Sequence, residues 1–252
     1  MTDLLRDLKI VVIDNPTKTW AESLTTDLFT KTVDLKLRGY GVEYQRGVLP
    51  IDTSDFYGVH QLVCRQTSSG LVPLMGYRST TLERSRLYGQ TFGGLSLVRA
   101  ANAAQHDRAI QDILNRCESQ GRSITYTGSW TIDPEARKNP ELSHLLNELF
   151  AAMYVLFHLE AGIQEIITGG TLRFKVDRLL VRWGHEYLQS NGTRLPPIRV
   201  ANLVSEPVVI MHLREFSHEV REQVNKWRFF WNQRLMITVP SDSSLDQKSK
   251  AA

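Results

Sequence analysis

The sequence predicts an α/β domain with a mixed, mostly antiparallel sheet flanked by helices. Three observations lead there. Short β-branched runs alternate with segments of helical periodicity through most of the chain. Two of those runs flank Ser68-Ser69-Gly70, the turn chemistry of an antiparallel hairpin. The 252 residues, 42% apolar and 23% charged, are long enough and apolar enough to build one core. We expect a single domain over residues 1–240, with a terminal helix, and a disordered polar tail, SDSSLDQKSKAA, over 241–252.

The elements follow in order. LKIVVI, from Leu8 to Ile13, reads as a buried strand that enters a turn at Asp14-Asn15-Pro16. From Thr17 to about Arg38, Trp20, Leu24, Leu28, Val33 and Leu37 recur at helical separations, and Gly39 and Gly41 supply a stop. VHQLVCR and LVPLMGYR form the hairpin, with Pro73 weakening the second strand. After a glycine-containing excursion through residues 89–94, Ile110, Ile113, Leu114 and Cys117 mark a helix inserted before the next strand, Ser123 to Ile132. The strongest helix comes next. Asn139 is its N-cap, Pro140 its first residue and Glu141 complements its dipole, while Leu142, Leu145, Leu146, Leu149 and Phe150 begin a long apolar stripe that Gly162 ends. Gln164 to Thr168 reads as a strand, Thr171 to Gln189 as a helix, and Ile198 to Leu203 and Val208 to Leu213 as two last strands. A helix from Ser217 to Leu235 closes the domain, its Trp227, Phe229, Phe230 and Trp231 covering the sheet or lining an apolar tunnel or a membrane surface.

Composition narrows the function classes. Cys64 and Cys117 make neither a disulfide framework nor a metal signature, and His60 and His185 lack ligand spacing, so no metal is assigned. A net charge of +3 falls short of the basic stripe of a nucleic-acid binder, and no nucleic-acid partner is expected. No run approaches the ~20 uninterrupted apolar residues of a membrane span, and MTDLLRDLKI is charged where a signal peptide is apolar. These features predict an intracellular, cytoplasmic protein.

The element order resembles the GNAT acyltransferase fold over roughly residues 8–215. The extra helix before the fourth strand, together with LRGYGVEY, IDTSDFYGVHQLV and MGYRSTTLERSRL, is similar to acyl-homoserine-lactone synthases and N-acyl amino acid synthases. That resemblance implies an N-acyltransferase moving an acyl group from acyl-CoA or acyl carrier protein to a small amine or amino acid, with no permanently bound cofactor. It also implies site residues. Arg38 would hold a substrate carboxylate, Asp52 and Asp55 would orient the amino substrate, Arg86 would assist them, and Glu83 would accept the amine proton. Tyr187, on the helix after Gly169-Gly170, stands where many GNAT proteins protonate the departing thiolate. The fourth strand departs from the pattern. YTGSWTIDPEAR places Tyr126 and Ser129 where the synthases carry Glu and Arg, leaving Tyr126 as the polar candidate there. WTIDPEARKNPEL lacks the glycine-rich phosphate turn, so Arg137, Lys138, Asn139 and Glu141, at a helix N-terminus, become the candidate donor site. Lys175, Arg178 and Arg182 form a basic stripe, interrupted by Asp177, suited to an acidic carrier protein. An autoinducer synthase and a catalytically inactive binding module remain the alternatives.

Overall fold

The computed structural model describes residues 2–44, 48–200 and 203–238. The N-terminal part runs α1 (Thr2–Arg6), β1 (Leu8–Asp14), a 3-10 turn (Pro16–Thr19), α2 (Ser23–Glu43), α3 (Ser54–Tyr57), β2 (Val59–Thr67) and β3 (Gly70–Thr81). The centre continues with α4 (Leu82–Leu87), α5 (Gly93–Ala100), α6 (Ala104–Ser119), β4 (Ile124–Ile132), α7 (Pro134–Lys138), α8 (Pro140–Glu160) and β5 (Glu165–Thr171). Next come α9 (Val176–Arg182), β6 (Glu186–Tyr187), β7 (Gln189–Ser190), β8 (Thr193–Arg194), β9 (Ile198–Val200) and β10 (Glu206–Leu213). The last elements are α10 (His218–Asn225), α11 (Arg228–Asn232) and β11 (Leu235–Ile237).

The main sheet has the order β11-β1-β2-β3-β4-β5-β10-β6, with β9 also on β10. Only β1–β11 and β4–β5 are parallel pairs among the described residues, so the sheet is mixed and mostly antiparallel, as the sequence predicts. Side chains alternate between the two faces of each strand. Ile10 and Val12 join the core built on α8, α10 and α11, whereas Val11 and Ile13 meet Leu28 of α2. Ile166 and Ile167 divide in the same way, the second packing with Leu95 and Ile110 of α5 and α6. By length and composition α8 alone among the described helices is apolar enough to cross a membrane, but 67% of that window is buried in the protein, the packing of a core helix.

The caps of α8 are those read from the sequence: Asn139 Oδ1 accepts the Leu142 amide at 3.0 Å and Pro140 opens the helix. Pro73 sits beside a register shift in the hairpin, between Val63 and Cys64, where a missing donor costs least. Four expectations change. The helix from Ser23 runs through Gly39 and Gly41 to Glu43. A Cβ at Gly39 would lie 2.4 Å from Thr131 Cγ2, so this glycine lets α2 approach β4 and stops nothing. The helix expected from Thr171 to Gln189 is cut to α9. Lys175 takes a left-handed φ of 55° at its start, and Gly184, at φ 103° and against the Glu215 carbonyl, turns the chain into β6. The excursion over 89–94 leads into α5, which the sequence reading passes over.

The closing helix breaks near Trp227, which lets Trp227 and Trp231 both enter the α8 core while Phe229 stays 75% exposed. Trp231 Nε1 donates to Glu160 Oε1 at 2.8 Å, and the segment that follows α11 pairs with β1 as β11. The predicted tail over 241–252 lies outside the described residues.

Candidate active site

Pairing between β4 and β5 starts at Ile124 and Glu165 and stops at Thr127 and Thr168, although β4 runs on to Ile132 and β5 to Thr171. The two strands therefore splay. The cause lies in β4: Gly76 pairs with Thr131 and Arg78 with Gly128, so three steps on β4 oppose two on β3. This is a bulge, and Ser129 takes a φ of 59° within it. Beyond Thr127, the side of β4 facing β5 has no strand partner, and its backbone groups need solvent or a ligand.

The fork opens into a cleft of about 730 Å³. One wall is apolar, with Trp130 stacked on Phe150 at a centroid distance of 4.2 Å and Tyr154, Val176 and Leu180 continuing it. The other end is polar and contains Asp52, Tyr57 and Arg78. A long apolar chain and a charged head thus find different ends of one space.

The polar end is a network with a buried base. Arg78 Nη2 donates to Asp52 Oδ2 at 2.9 Å, and its Nη1 lies 2.8 Å from Asp55 Oδ2. Asp55 also receives the Lys36 ammonium and the Asp52 backbone amide. Burial alone would raise the Asp55 carboxyl, but Arg78 first and then Lys36 hold it well below the usual carboxylate range. Asp52 is lowered in the same way by Arg78 and Ser54, yet its side chain remains 60% exposed. Asp52 is therefore the member that can meet a cationic amine, while Asp55 sits behind it as support.

Tyr126 lines the cleft at the fork, its ring against Gly93, where a Cβ would come within 2.4 Å. Burial pushes its hydroxyl up to about 12, so it remains a donor and is a poor base at neutral pH. Of the predicted donor residues, only Arg137 lines the cleft, and there it pairs with Glu43. Lys138 turns to Glu135, Asn139 is spent on its cap, and Glu141 is exposed on the first turn of α8. A short helix that the sequence reading did not anticipate, α7, precedes that turn. Its amides at Glu135 and Ala136 are already taken by Asp133, which Arg38 binds.

Several expected site residues lie elsewhere. Arg38 pairs with Asp34 and Asp133 and so fastens α2 to the α7 cap instead of holding a substrate. Glu83 and Arg86 are exposed on α4, and Arg86 pairs with Glu118. Tyr187 is on an edge strand and no longer on a helix: its hydroxyl donates to Asp177 Oδ2 at 2.9 Å and the Arg194 guanidinium lies 3.3 Å over its ring. It borders a separate cavity of about 270 Å³ with Arg116 and His212. The sequence reading missed Arg78, Lys36, Thr127 and Tyr154. Arg78 carried a signal, a charged side chain closing an otherwise apolar strand; Tyr154 carried none, being one more aromatic in the α8 stripe. Among the described residues no group of three His, Cys, Asp or Glu side chains is placed to hold a metal.

No protein-family model matches the chain, and no curated protein matches its sequence. Solved structures do. The CoA-dependent acyl-homoserine lactone synthase BjaI, solved with SAM and isopentyl-CoA, aligns over 97% of this chain and 100% of its own, with a TM-score of 0.52 and 11% identity. The fold is GNAT-like. BjaI with MTA gives the same coverage and TM-score at 12% identity. The N-acyl amino acid synthase FeeM from uncultured soil microbes aligns over 88% of this chain and 97% of its own, at 12% identity and a TM-score of 0.44. At such identities the likeness establishes fold, and chemistry has to be argued from the cleft.

Proposed function

We propose that this GNAT-like chain is an N-acyltransferase that moves an acyl group from a phosphopantetheine thioester to a small amine, with an amino acid as the favoured acceptor class. The observation that carries the reading is the fork. Unpaired backbone groups along splayed β4 and β5 suit the amides of a pantetheine arm, which would complete the interrupted ladder. The apolar wall at Trp130 and Phe150 suits the acyl chain, and exposed Asp52 suits the incoming amine. BjaI shares the fold and is solved with isopentyl-CoA, which favours the same donor class here.

The carrier of the thioester is part of this reading. Lys175, Arg178 and Arg182 are all exposed, whereas Asp177 is buried and accepts the Tyr187 hydroxyl. The basic stripe is thus not interrupted on its outer face, and it lies on the helix whose Val176 and Leu180 line the cleft. An acidic acyl carrier protein would be steered there, and a cytoplasmic reaction is part of the same proposal. Free-thiol release with amino-acid acceptors tests both statements. Acyl-CoA and acyl carrier protein should each release thiol only when an amine is present, and the product mass should equal the open amide. Replacing the three basic residues with Glu should cut carrier-dependent turnover at least ~10-fold and acyl-CoA turnover less than about twofold. Amine-independent release or none would refute the transfer reading; equal losses on both donors would remove the carrier. A product lighter by the acceptor's leaving group would instead indicate lactone closure.

A further inference from the structure

The amine proton has no free carboxylate to receive it in the cleft. Among the described residues two carboxylates line that space, Glu43 and Asp52, and each is held by an arginine, Arg137 and Arg78. A different group reaches it from α8. The Tyr154 hydroxyl lies 3.2 Å from Oγ1 of Thr127, the last β4 residue paired with β5, and 2.9 Å from His185 Nε2. Thr127 and Tyr154 line the cleft; His185, 2% exposed, stands behind them.

The direction of these bonds is fixed by chemistry. His185 Nδ1 lies 3.2 Å from the Leu180 carbonyl oxygen, which only accepts, so Nδ1 carries the hydrogen and Nε2 is bare. Tyr154 must therefore donate to Nε2, and Thr127 must donate to the Tyr154 oxygen. A line of hydrogen bonds runs from the fork to a buried, neutral base.

We propose that Tyr154 is a catalytic residue that relays the proton of acyl transfer, and that His185 is the positioning residue that holds it between the two steps. This rests on the transfer reading above. Once the ammonium has given one proton to solvent, the neutral amine nitrogen bonds to the thioester carbon, and an N–H proton passes to the Tyr154 oxygen while the Tyr154 proton passes to Nε2. The C–S bond then breaks with its electron pair on sulfur, and the proton returns from Nε2 through Tyr154 to the thiolate. Amide and free thiol result, and His185 is neutral again. Burial, only partly offset by the Leu180 hydrogen bond, holds His185 down to about 3, so the ring is neutral at rest and carries the proton only for the lifetime of the tetrahedral intermediate. The titratable groups around it are Tyr154 and His158 of α8 and His212 of β10.

Two donors separate relay from packing. An alkyl thiolate such as that of CoA needs a proton as it leaves, whereas an aryl thiolate is expelled without one. Tyr154→Phe keeps the ring, and circular dichroism with thermal melting confirms the fold. With acyl-CoA its kcat should fall about 10²-fold with KM changed less than about twofold; with an aryl thioester of the same acyl group, which loses the first proton transfer but does not need the second, kcat should fall only about tenfold. His185→Phe should give a smaller loss with the same donor dependence. Equal losses on both donors, or none on acyl-CoA, would overturn the relay while leaving the transfer reading in place. If the unaltered chain releases thiol from neither donor, the transfer reading falls and the relay with it.

Discussion

Acidification from about pH 7.5 to about pH 5 is expected to remove roughly 6 kcal/mol of folding stability through three buried histidines. Burial is the first cause in each: it lowers His60 and His158 to about 4 and His185 to about 3. Lys36 pushes His60 further down, against Asp55, which pulls it up. An unfolded histidine titrates near ~6.5, so below that pH the unfolded chain binds protons that the folded chain refuses. The contribution is therefore complete above about 6.5 and is lost as pH falls, at about 2 kcal/mol per histidine by pH 5. That sum rivals the whole stability of a typical domain, ~5–15 kcal/mol. Asp55 and Glu165 have lowered values, so their contributions persist through this window and fail only in stronger acid. Urea midpoints measured across the range should fall steeply below about pH 6.5. A constant midpoint down to pH 5 would mean that the three rings are protonated, or exposed, in the folded protein.

Replacing Arg78 with Met should cost about 3–5 kcal/mol, because it leaves a buried carboxylate without its main partner. Arg78 and Asp55 have side-chain exposures of 4% and 2%, so water cannot take over. Lys36 remains on Asp55, which sets the lower end of the range. Arg78→Lys keeps the charge but cannot hold two carboxylates from one planar fork, and should recover only part of the loss. Urea unfolding decides the matter: a cost below ~1 kcal/mol would place this pair with weak surface bridges.

The fold was legible where local chemistry and packing agree. The Asn139-Pro140 start of α8, the hairpin around Gly70 and the β-branched run of β1 all follow from short-range rules. Gly39 misled because a glycine read as a helix stop serves close helix–strand contact, which only the position of Thr131 reveals. Of the residues singled out in the sequence, Asp52, Tyr126 and Arg137 line the cleft and Asp55 stands behind Asp52 on the same arginine. Glu83, Arg86 and Tyr187 lie outside that cleft, because the turn after α4 at Tyr88 and the turn at Gly184 into the edge strand β6 are set by tertiary contacts. Tyr154 was hidden because its apolar ring and its hydroxyl serve two purposes at one position in a core stripe.

A crystal structure with a non-reactive thioether analogue of acyl-CoA tests the fork most directly. The pantetheine arm is predicted between β4 and β5 beyond Thr127 and Thr168, making backbone hydrogen bonds along the Gly128–Trp130 bulge, with the acyl chain against Phe150. Pantetheine bound outside the fork, with β4 and β5 still empty between Thr127 and Ile132, would contradict it.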